Sequence, residues 1–276
     1  MQYVFLSDID GTLLRRGVPL CREVIDAAAV YKQQGGLLSV CTGRSLPAAR
    51  QTAQDLGVNA PSILYGGAAI YDFCTGRYLY AQPFQWDVMQ AVRRVLQEFP
   101  DISMQVFTLE DVFVLRRNRR LNEVGVQEEN VNPIADPADV RGDILKLVMC
   151  CDVPGHLEQC RGFFPPEHCH FAFASRTFVD VVAAGFGKRE AMDALSRFLD
   201  IPLSRFFSAG DAITDLPMLR ASAMSFAPEN ALDVVKEAVT CIVPDVRSGG
   251  MAHAFLTAAG FLAAQTAPSN TATTEI

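Results

Sequence analysis

The stretch Tyr3-Val4-Phe5-Leu6-Ser7-Asp8-Ile9-Asp10-Gly11-Thr12 decides the fold. Its first half is a short apolar and β-branched run, which is typical of a buried strand. Its second half places two carboxylates, Asp8 and Asp10, directly after that strand. Burying two carboxylates without a neutralising partner is costly, so the pattern indicates a functional site and not a simple turn.

The same strand-then-helix pattern continues outward from this stretch. Residues 23–34 carry a helical stripe, and residues 37–40 predict a second strand. Ser45 can cap a second helix that Gly57 ends, and residues 62–65 predict a third strand. Strands that alternate with helices predict parallel pairing with right-handed crossovers.

The middle of the chain has a different rhythm, with more strand than helix. Residues 86–99 predict a helix, followed by strand-like runs that include 103–107, 112–115 and 144–150. We therefore expect an inserted α+β domain over residues 84–183. The predicted domains are a first core part (1–83), the insertion (84–183), a second core part (184–265) and a disordered tail rich in Ala, Thr, Pro and Ser (266–276).

The predicted fold class is α/β, a Rossmann-like parallel sheet core with helices on both faces plus the inserted α+β domain. In such sheets, ligands bind at the carboxyl ends of the strands. Several polar residues are predicted to meet at that edge, each at a strand end or a helix start: Asp8, Asp10, Thr42, Arg44, Lys188, Asp211 and Asp215.

The motif Ser7-Asp8-Ile9-Asp10-Gly11-Thr12-Leu13-Leu14 resembles the first motif of the haloacid dehalogenase superfamily of phosphotransferases. Thr42-Gly43-Arg44 resembles the second motif, Lys188 the third, and Gly210-Asp211-Ala212-Ile213-Thr214-Asp215 the fourth. The insertion between the second and third motifs, and the later segment Ala227-Pro228-Glu229-Asn230-Ala231, are similar to the Cof-like subfamily. The resemblance implies phosphatase chemistry under a large cap domain.

The resemblance also implies roles for individual residues. Asp8 is expected to attack phosphorus, and Asp10 to give a proton to the leaving alcohol and take one from water. The residues expected to hold the phosphoryl oxygens are Thr42, Gly43, Lys188 and Gly11.

A phosphate dianion repels a carboxylate nucleophile, so a hard cation is expected, and Mg²⁺ suits an all-oxygen site. The expected carboxylate ligands are Asp8 and Asp211, and the resemblance implies the backbone carbonyl of Asp10 as a further ligand. Asp215 and Thr214 are expected beside these ligands, with Asp215 either on a metal-bound water or on Lys188. Arg44 is a candidate contact to the substrate or phosphate, and a solvated salt bridge is the alternative.

Two positions depart from the family pattern. Thr214 stands where that pattern usually has Asn, and Gly66-Gly67 stand where it usually has Asn-Gly. A hydroxyl can still donate or accept a hydrogen bond, so metal binding is expected to be retained with changed surroundings. Without the amide near Gly66, a polar contact to the substrate is lost.

The cap is expected to exclude water and to contact the leaving group. Its candidate contact residues are Arg116, Arg117, Lys146, Arg176 and Asp180. The large apolar residues expected in the cap's own core are Met104, Phe107, Phe113 and Met149.

Composition limits the classes of partner. Of the 276 residues, 24 are Lys or Arg and 31 are Asp or Glu, for a formal net charge of -7. Nucleic-acid binding needs clustered cations, so no nucleic-acid partner is expected. No apolar run reaches the roughly 20 residues of a membrane span, and the N-terminus lacks the pattern of a signal peptide. A cytoplasmic enzyme without a membrane partner is expected, and the oligomeric state stays open.

The main expectation is a Mg²⁺-dependent phosphatase that hydrolyses small phosphate monoesters, a sugar phosphate or a similar metabolite. A phosphomutase on the same scaffold is one alternative, because Asp10 fits both reactions. The other alternative is a binding protein that kept the fold without activity. The retained carboxylates and Lys188 disfavour that reading.

Overall fold

The structure is a computed structural model that describes residues 2–15, 18–124, 131–133 and 136–266. Thr266, the first residue of the tail predicted to be disordered, lies in a helix, and residues 267–276 lie outside the described residues. The helices are α1 (Arg22–Gln33), α2 (Leu46–Leu56), α3 (Val88–Glu98), α4 (Arg119–Val124), α5 (His156–Cys160), α6 (Lys188–Leu199), α7 (Leu216–Ala221), α8 (Asp233–Lys236) and α9 (Met251–Thr266).

The strands follow the order in the chain. They are β1 (Val4–Ser7), β2 (Leu37–Val40), β3 (Ser62–Leu64), β4 (Ala69–Asp72), β5 (Arg77–Ala81), β6 (Ser103–Thr108), β7 (Val112–Arg116), β8 (Val131–Pro133), β9 (Ile144–Cys150), β10 (Cys169–Ser175), β11 (Phe178–Ala183), β12 (Phe206–Ala209), β13 (Met224–Pro228) and β14 (Cys241–Val243).

The core is a parallel sheet with the strand order β14-β13-β12-β1-β2. Strand β1 lies between β12 and β2, so Val4 pairs with Phe206 on one side and Leu37 on the other. Phe5 packs in a cluster with α1 and α9, whereas its neighbours Val4 and Leu6 pack on α6 and α7. Alternate residues of β1 therefore face opposite layers, which confirms the predicted α/β sheet with helices on both faces.

The third predicted strand pairs differently from expectation. Strand β3 meets the parallel sheet through a single parallel bridge between Cys41 and Ile63, and its full ladder is antiparallel with β4. Strands β4 and β5 form a hairpin that the sequence analysis did not predict. Its turn is a local one in which the Asp72 carboxylate accepts hydrogen bonds from Cys74 N and Thr75 Oγ1.

Helix α9 was also not predicted, because its residues lack a polar face. It packs against α1 and covers Phe5 with Phe255, whose ring centroid lies 4.7 Å from that of Phe5. A helix buried on this side is apolar for most of its circumference. No helix among the described residues is long and apolar enough to cross a membrane.

The strands of the predicted insertion form a second sheet with the order β10-β11-β9-β6-β7-β8. It is antiparallel except at the β7–β8 edge, and α3 and α5 pack on one of its faces. The other face turns toward the carboxyl edge of the core sheet. We call this second sheet and its helices the cap.

One prediction about the cap interior is wrong. Met104, Phe113 and Met149 are buried in the cap's own cluster, as expected. Phe107 is instead part of the cluster of the core and lines the cavity between cap and core. Side chains on a strand alternate between faces, so Met104 and Phe107, three residues apart on β6, point to opposite sides.

Candidate active site

The residues predicted at the sheet edge lie around one cavity of about 750 Å³ between the core and the cap. Asp8 follows β1, Thr42 follows β2 and Asp211 follows β12, so parallel strands deliver these side chains to the same edge. Lys188 enters as the first residue of α6. The predicted residues that line the cavity are Asp8, Asp10, Thr42, Gly43, Arg44, Lys188, Asp211, Thr214 and Asp215.

Lys188 joins two carboxylates from different strands. Its Nζ lies 2.7 Å from Asp8 Oδ1 and 2.5 Å from Asp215 Oδ1, and its side chain is 8% exposed. The second oxygen of Asp215 accepts hydrogen bonds from the backbone N–H groups of Asp211 and Ala212. Both oxygens of Asp215 thus accept hydrogen bonds. Asp215 was expected either on a metal-bound water or on Lys188, and in the structure it contacts Lys188.

The electrostatics of this group follow from burial and close like charges. Burial raises the pKa of Asp8 well above its usual range, partly opposed by the charge of Lys188. Burial also raises the pKa of Asp211, together with the charge of Asp215, to about 6. Burial lowers the pKa of Lys188, but the charges of Asp215 and Asp8 outweigh it and raise that pKa well above its usual value. The two adjacent carboxylates therefore favour the ammonium form of Lys188.

Asp211 is positioned by the turn that follows β1. Thr12 Oγ1 donates to Asp211 Oδ1 at 3.0 Å. Gly11 adopts a positive φ of 85°, and a Cβ at this position would collide with the carboxylate of Asp211. Gly11 is therefore required for the close approach of the two loops.

Three carboxylates can offer oxygens to one cation. Ligand atoms of Asp8, Asp211 and Asp215 all lie within 4.8 Å of one another. The sequence prediction had Asp215 beside the ligands and the backbone carbonyl of Asp10 among them. Both Asp215 oxygens accept hydrogen bonds, whereas among the described residues Asp8 and Asp211 each accept one at Oδ1 alone. Asp8 and Asp211 therefore each have a second oxygen available to bind a cation.

Arg44 forms a two-point salt bridge with Asp10. Its Nε donates to Asp10 Oδ2 at 2.8 Å and its NH2 to Asp10 Oδ1 at 2.7 Å. The Arg44 side chain is 15% exposed, and its NH1 also donates to Ala48 O in the first turns of α2. Of the two roles expected for Arg44, the salt bridge is present, in a mostly buried form, and the substrate contact stays a prediction.

The remaining predicted positions, Thr42, Thr214 and Gly66, line the same cavity. Thr42 is 1% exposed, and its Oγ1 accepts a hydrogen bond from Arg44 N. Thr214 lies in the turn Ile213–Asp215, which contacts cap strand β10. Gly66 faces Val182 of the cap with room for a side chain, since a Cβ there would meet no atom closer than 4.0 Å.

Two side chains without a predicted role position the site. One is Thr12, described above, and the other is Asn230. Asn230 Nδ2 donates to Gly11 O at 2.7 Å, and its Oδ1 accepts from Val246 N. Its only signal in the sequence is its place in the segment after β13, because the partner on Gly11 is 219 residues away.

Of the five cap residues predicted to contact the substrate, two line the cavity among the described residues. Lys146 and Asp180 line the cavity and form an ion pair at 2.7 Å. Arg116 instead donates to the backbone carbonyls of Leu96 and Phe99, which ties β7 to the end of α3. Arg117 and Arg176 are not among the described residues that line the cavity.

Comparison with known families decides the class of protein. The family of haloacid dehalogenase-like hydrolases matches residues 5–255. The chain belongs to this family. The match spans both core parts and the cap, and it agrees with the resemblance carried by the four motifs. This family member is a phosphoric monoester hydrolase.

Individual relatives are distant but cover nearly the whole chain. The 5-amino-6-(5-phospho-D-ribitylamino)uracil phosphatase YitU of Bacillus subtilis is 21% identical over 85% of this chain and 89% of its own length. The pyridoxal phosphate phosphatase YbhA of Escherichia coli is 23% identical over 91% and 96%. The structure of a subclass IIB sugar phosphatase, BT4131, superposes with a TM-score of 0.78 at 19% identity, covering 91% of this chain and 97% of that one. This last likeness establishes the shared fold.

Proposed function

We propose that this hydrolase is a Mg²⁺-dependent phosphatase that cleaves small phosphate monoesters through a phosphorylated Asp8. The observation that carries the proposal is the position of Lys188, which bridges Asp8 and Asp215 at the base of the cavity. It gives Asp8 a fixed orientation and places a buried positive charge beside it. That charge favours an incoming phosphate dianion.

The donor set supports a hard divalent cation. Asp8 and Asp211 contribute carboxylate oxygens from adjacent strand ends, and the cluster contains no nitrogen or sulfur donor among the described residues. Mg²⁺ prefers such oxygen donors and retains several waters. When bound, it would neutralise part of the charge of the transferring phosphoryl group.

In the first half-reaction, a carboxylate oxygen of Asp8 forms a bond to phosphorus while the bond from phosphorus to the alcohol oxygen breaks. Lys188 and Thr42 hold the phosphoryl oxygens, and the backbone of Gly43 adds a further N–H donor. Asp10 gives its proton to the leaving alcohol. The first step thus yields the free alcohol and phosphorylated Asp8.

In the second half-reaction, Asp10 accepts a proton from a water molecule. That water attacks phosphorus, the bond from phosphorus to Asp8 breaks, and inorganic phosphate leaves. In the structure Arg44 donates to both oxygens of Asp10, which fixes the position from which Asp10 would act. The substrate is a small phosphorylated metabolite, as a cavity of about 750 Å³ can enclose.

An Asp8→Asn variant tests this proposal. With Mg²⁺ and p-nitrophenyl phosphate, we expect phosphate release to fall by more than about a thousandfold, because an amide is not a competent nucleophile. Circular dichroism should remain that of the wild type. Asp26→Asn, which removes a carboxylate from an exposed ion pair with Arg22, is the matched control.

Normal turnover by Asp8→Asn would refute the role of Asp8 as the nucleophile. Product analysis with a hexose phosphate completes the test: the proposal requires free sugar and inorganic phosphate. Recovery of an isomeric sugar phosphate would favour a phosphomutase instead.

A further inference from the structure

The cap face of the cavity is built from matched rows of side chains. In one row Phe107, Lys146 and Val182 pair across β6, β9 and β11, and in the next row Gln105, Val148 and Asp180 do so. All six side chains line the cavity. They lie opposite the carboxyl edge of the core sheet. A substrate whose phosphoryl group is held by the core residues therefore presents its leaving group to this face.

The polar centre of this face is the Lys146–Asp180 pair. Lys146 is 5% exposed at its side chain, and its Nζ lies 2.7 Å from Asp180 Oδ2. The same Nζ donates to the carbonyl of Gly43 in the core at 2.9 Å. The ammonium is therefore neutralised by the cap and tied to the core.

Positive charge elsewhere on the wall is paired in the same way. Among the described residues, each lysine or arginine that lines the cavity has a carboxylate partner. Apart from Lys188, which is assigned to the phosphoryl group itself, the pairs are Arg44–Asp10, Lys146–Asp180 and Arg189–Asp193. A second anionic group on the substrate would enter a wall whose cations are already occupied, beside several carboxylates. Burying it there is unfavourable.

Neutral hydrogen-bonding capacity is available instead. Gln105 is 6% exposed, and its amide makes no hydrogen bond to the described part of the chain. Buried amides are normally paired, so this side chain suits a ligand group that accepts or donates a neutral hydrogen bond. Phe107, Phe173 and Phe178 add aromatic surface to the same cavity.

We propose that the cap selects phosphate monoesters of an uncharged ring alcohol that carries a neutral hydrogen-bonding group. The ring lies against the aromatic surface, Gln105 binds the neutral polar group, and the Lys146–Asp180 pair excludes a second anion. Bisphosphates and phosphorylated carboxylic acids are therefore poor substrates. This selectivity rests on the proposed phosphatase function.

Three classes of benzyl phosphate test the inference on the wild-type enzyme with Mg²⁺. The probes are benzyl phosphate, its carbamoyl derivatives and its carboxyl derivatives, the latter two as ortho, meta and para isomers. A carboxamide and a carboxylate have nearly the same shape, so their comparison isolates charge. We expect the best carbamoyl isomer to exceed every carboxyl isomer in kcat/KM by at least about tenfold.

Two variants assign the selectivity to residues. In Asp180→Asn, Lys146 loses its neutralising partner and can accept an anion, so the carbamoyl-to-carboxyl ratio should fall at least about fivefold. In Gln105→Leu, the ratio of carbamoyl to unsubstituted benzyl phosphate should fall toward one. Asp26→Asn, at a residue that does not line the cavity, should leave both ratios unchanged. Because each readout is a ratio within one variant, a general loss of activity does not affect it.

The outcomes are distinguishable. Equal kcat/KM for carboxyl and carbamoyl probes in the wild type overturns the inference, as does an unchanged carbamoyl-to-carboxyl ratio in folded Asp180→Asn. Hydrolysis of p-nitrophenyl phosphate without hydrolysis of any benzyl phosphate overturns it too. If p-nitrophenyl phosphate itself is not hydrolysed, the phosphatase function fails first.

Discussion

Arg44 binds Asp10 through two parallel hydrogen bonds, from Nε to Oδ2 at 2.8 Å and from NH2 to Oδ1 at 2.7 Å. A two-point contact between planar groups fixes the direction of the carboxylate as well as its position. Arg44 is in turn held by a carbonyl of α2. The proposed acid and base is therefore anchored to the helix that follows β2.

Replacing this arginine should impair catalysis more than binding. In Arg44→Lys the two-point contact becomes a single one, and Asp10 is free to rotate. We expect kcat to fall by about 10- to 100-fold, since misplacement by 1 Å can have that effect. Steady-state kinetics on p-nitrophenyl phosphate measures it, with Arg22→Lys in an exposed pair as control. A change confined to KM would instead indicate that Arg44 contacts the substrate.

Lys188 should matter for stability as well as for activity. Lys188→Met leaves Asp8 and Asp215 buried without their shared cation, and breaking such a pair costs about 3–5 kcal/mol. Urea unfolding measures the loss. The double variant Lys188→Met/Asp215→Asn should regain part of that stability, because an amide oxygen can still accept from the backbone N–H groups of Asp211 and Ala212. Neither variant should turn over substrate, and a double variant no more stable than the single one would contradict this account.

Metal removal should abolish activity and lower thermal stability. After treatment with EDTA, we expect phosphate release to stop and to return on addition of Mg²⁺, because Asp8 and Asp211 supply the carboxylate ligands of the proposed site. Mg²⁺ should raise the Tm of the wild type, since it binds the folded state. In Asp211→Asn that rise should require far more Mg²⁺. An equal Tm rise in both proteins would place the cation elsewhere.

Gly11 and Gly35 form a matched pair for testing the loop contact. Both have positive φ, 85° and 84°, but a Cβ on Gly11 meets Asp211, whereas one on Gly35 meets nothing within 4 Å. Gly35→Ala should cost only the backbone strain, about 1–2 kcal/mol. Gly11→Ala should add displacement of Asp211, and hence a weaker response of Tm to Mg²⁺. Equal responses in the two variants would show that Asp211 moves aside without consequence.

Local patterns in the sequence predict most of the core elements correctly, because strands and helices here follow their own hydrophobic periods. The two ends of helix α2 are an example: Ser45 Oγ accepts a hydrogen bond from Ala48 N at the start, and Gly57 ends the helix with a φ of 65°. The pairing of β3 was not predictable in the same way. The sequence of a short apolar strand does not indicate which strand it pairs with. The antiparallel pairing of β3 depends on the β4–β5 hairpin beside it.

The sequence by itself determined the family, the α/β class and the set of residues at the sheet edge, because the motif residues directly follow short apolar strands and their order is distinctive. Only the tertiary structure decided how those residues are paired. Asp215 contacts Lys188, 27 residues away in the sequence, and Arg44 contacts Asp10, 34 residues away. It also decided that Phe107 faces the cavity and that Lys146 meets Gly43 across 103 residues. Such contacts depend on how two sheets face each other, which no local pattern encodes.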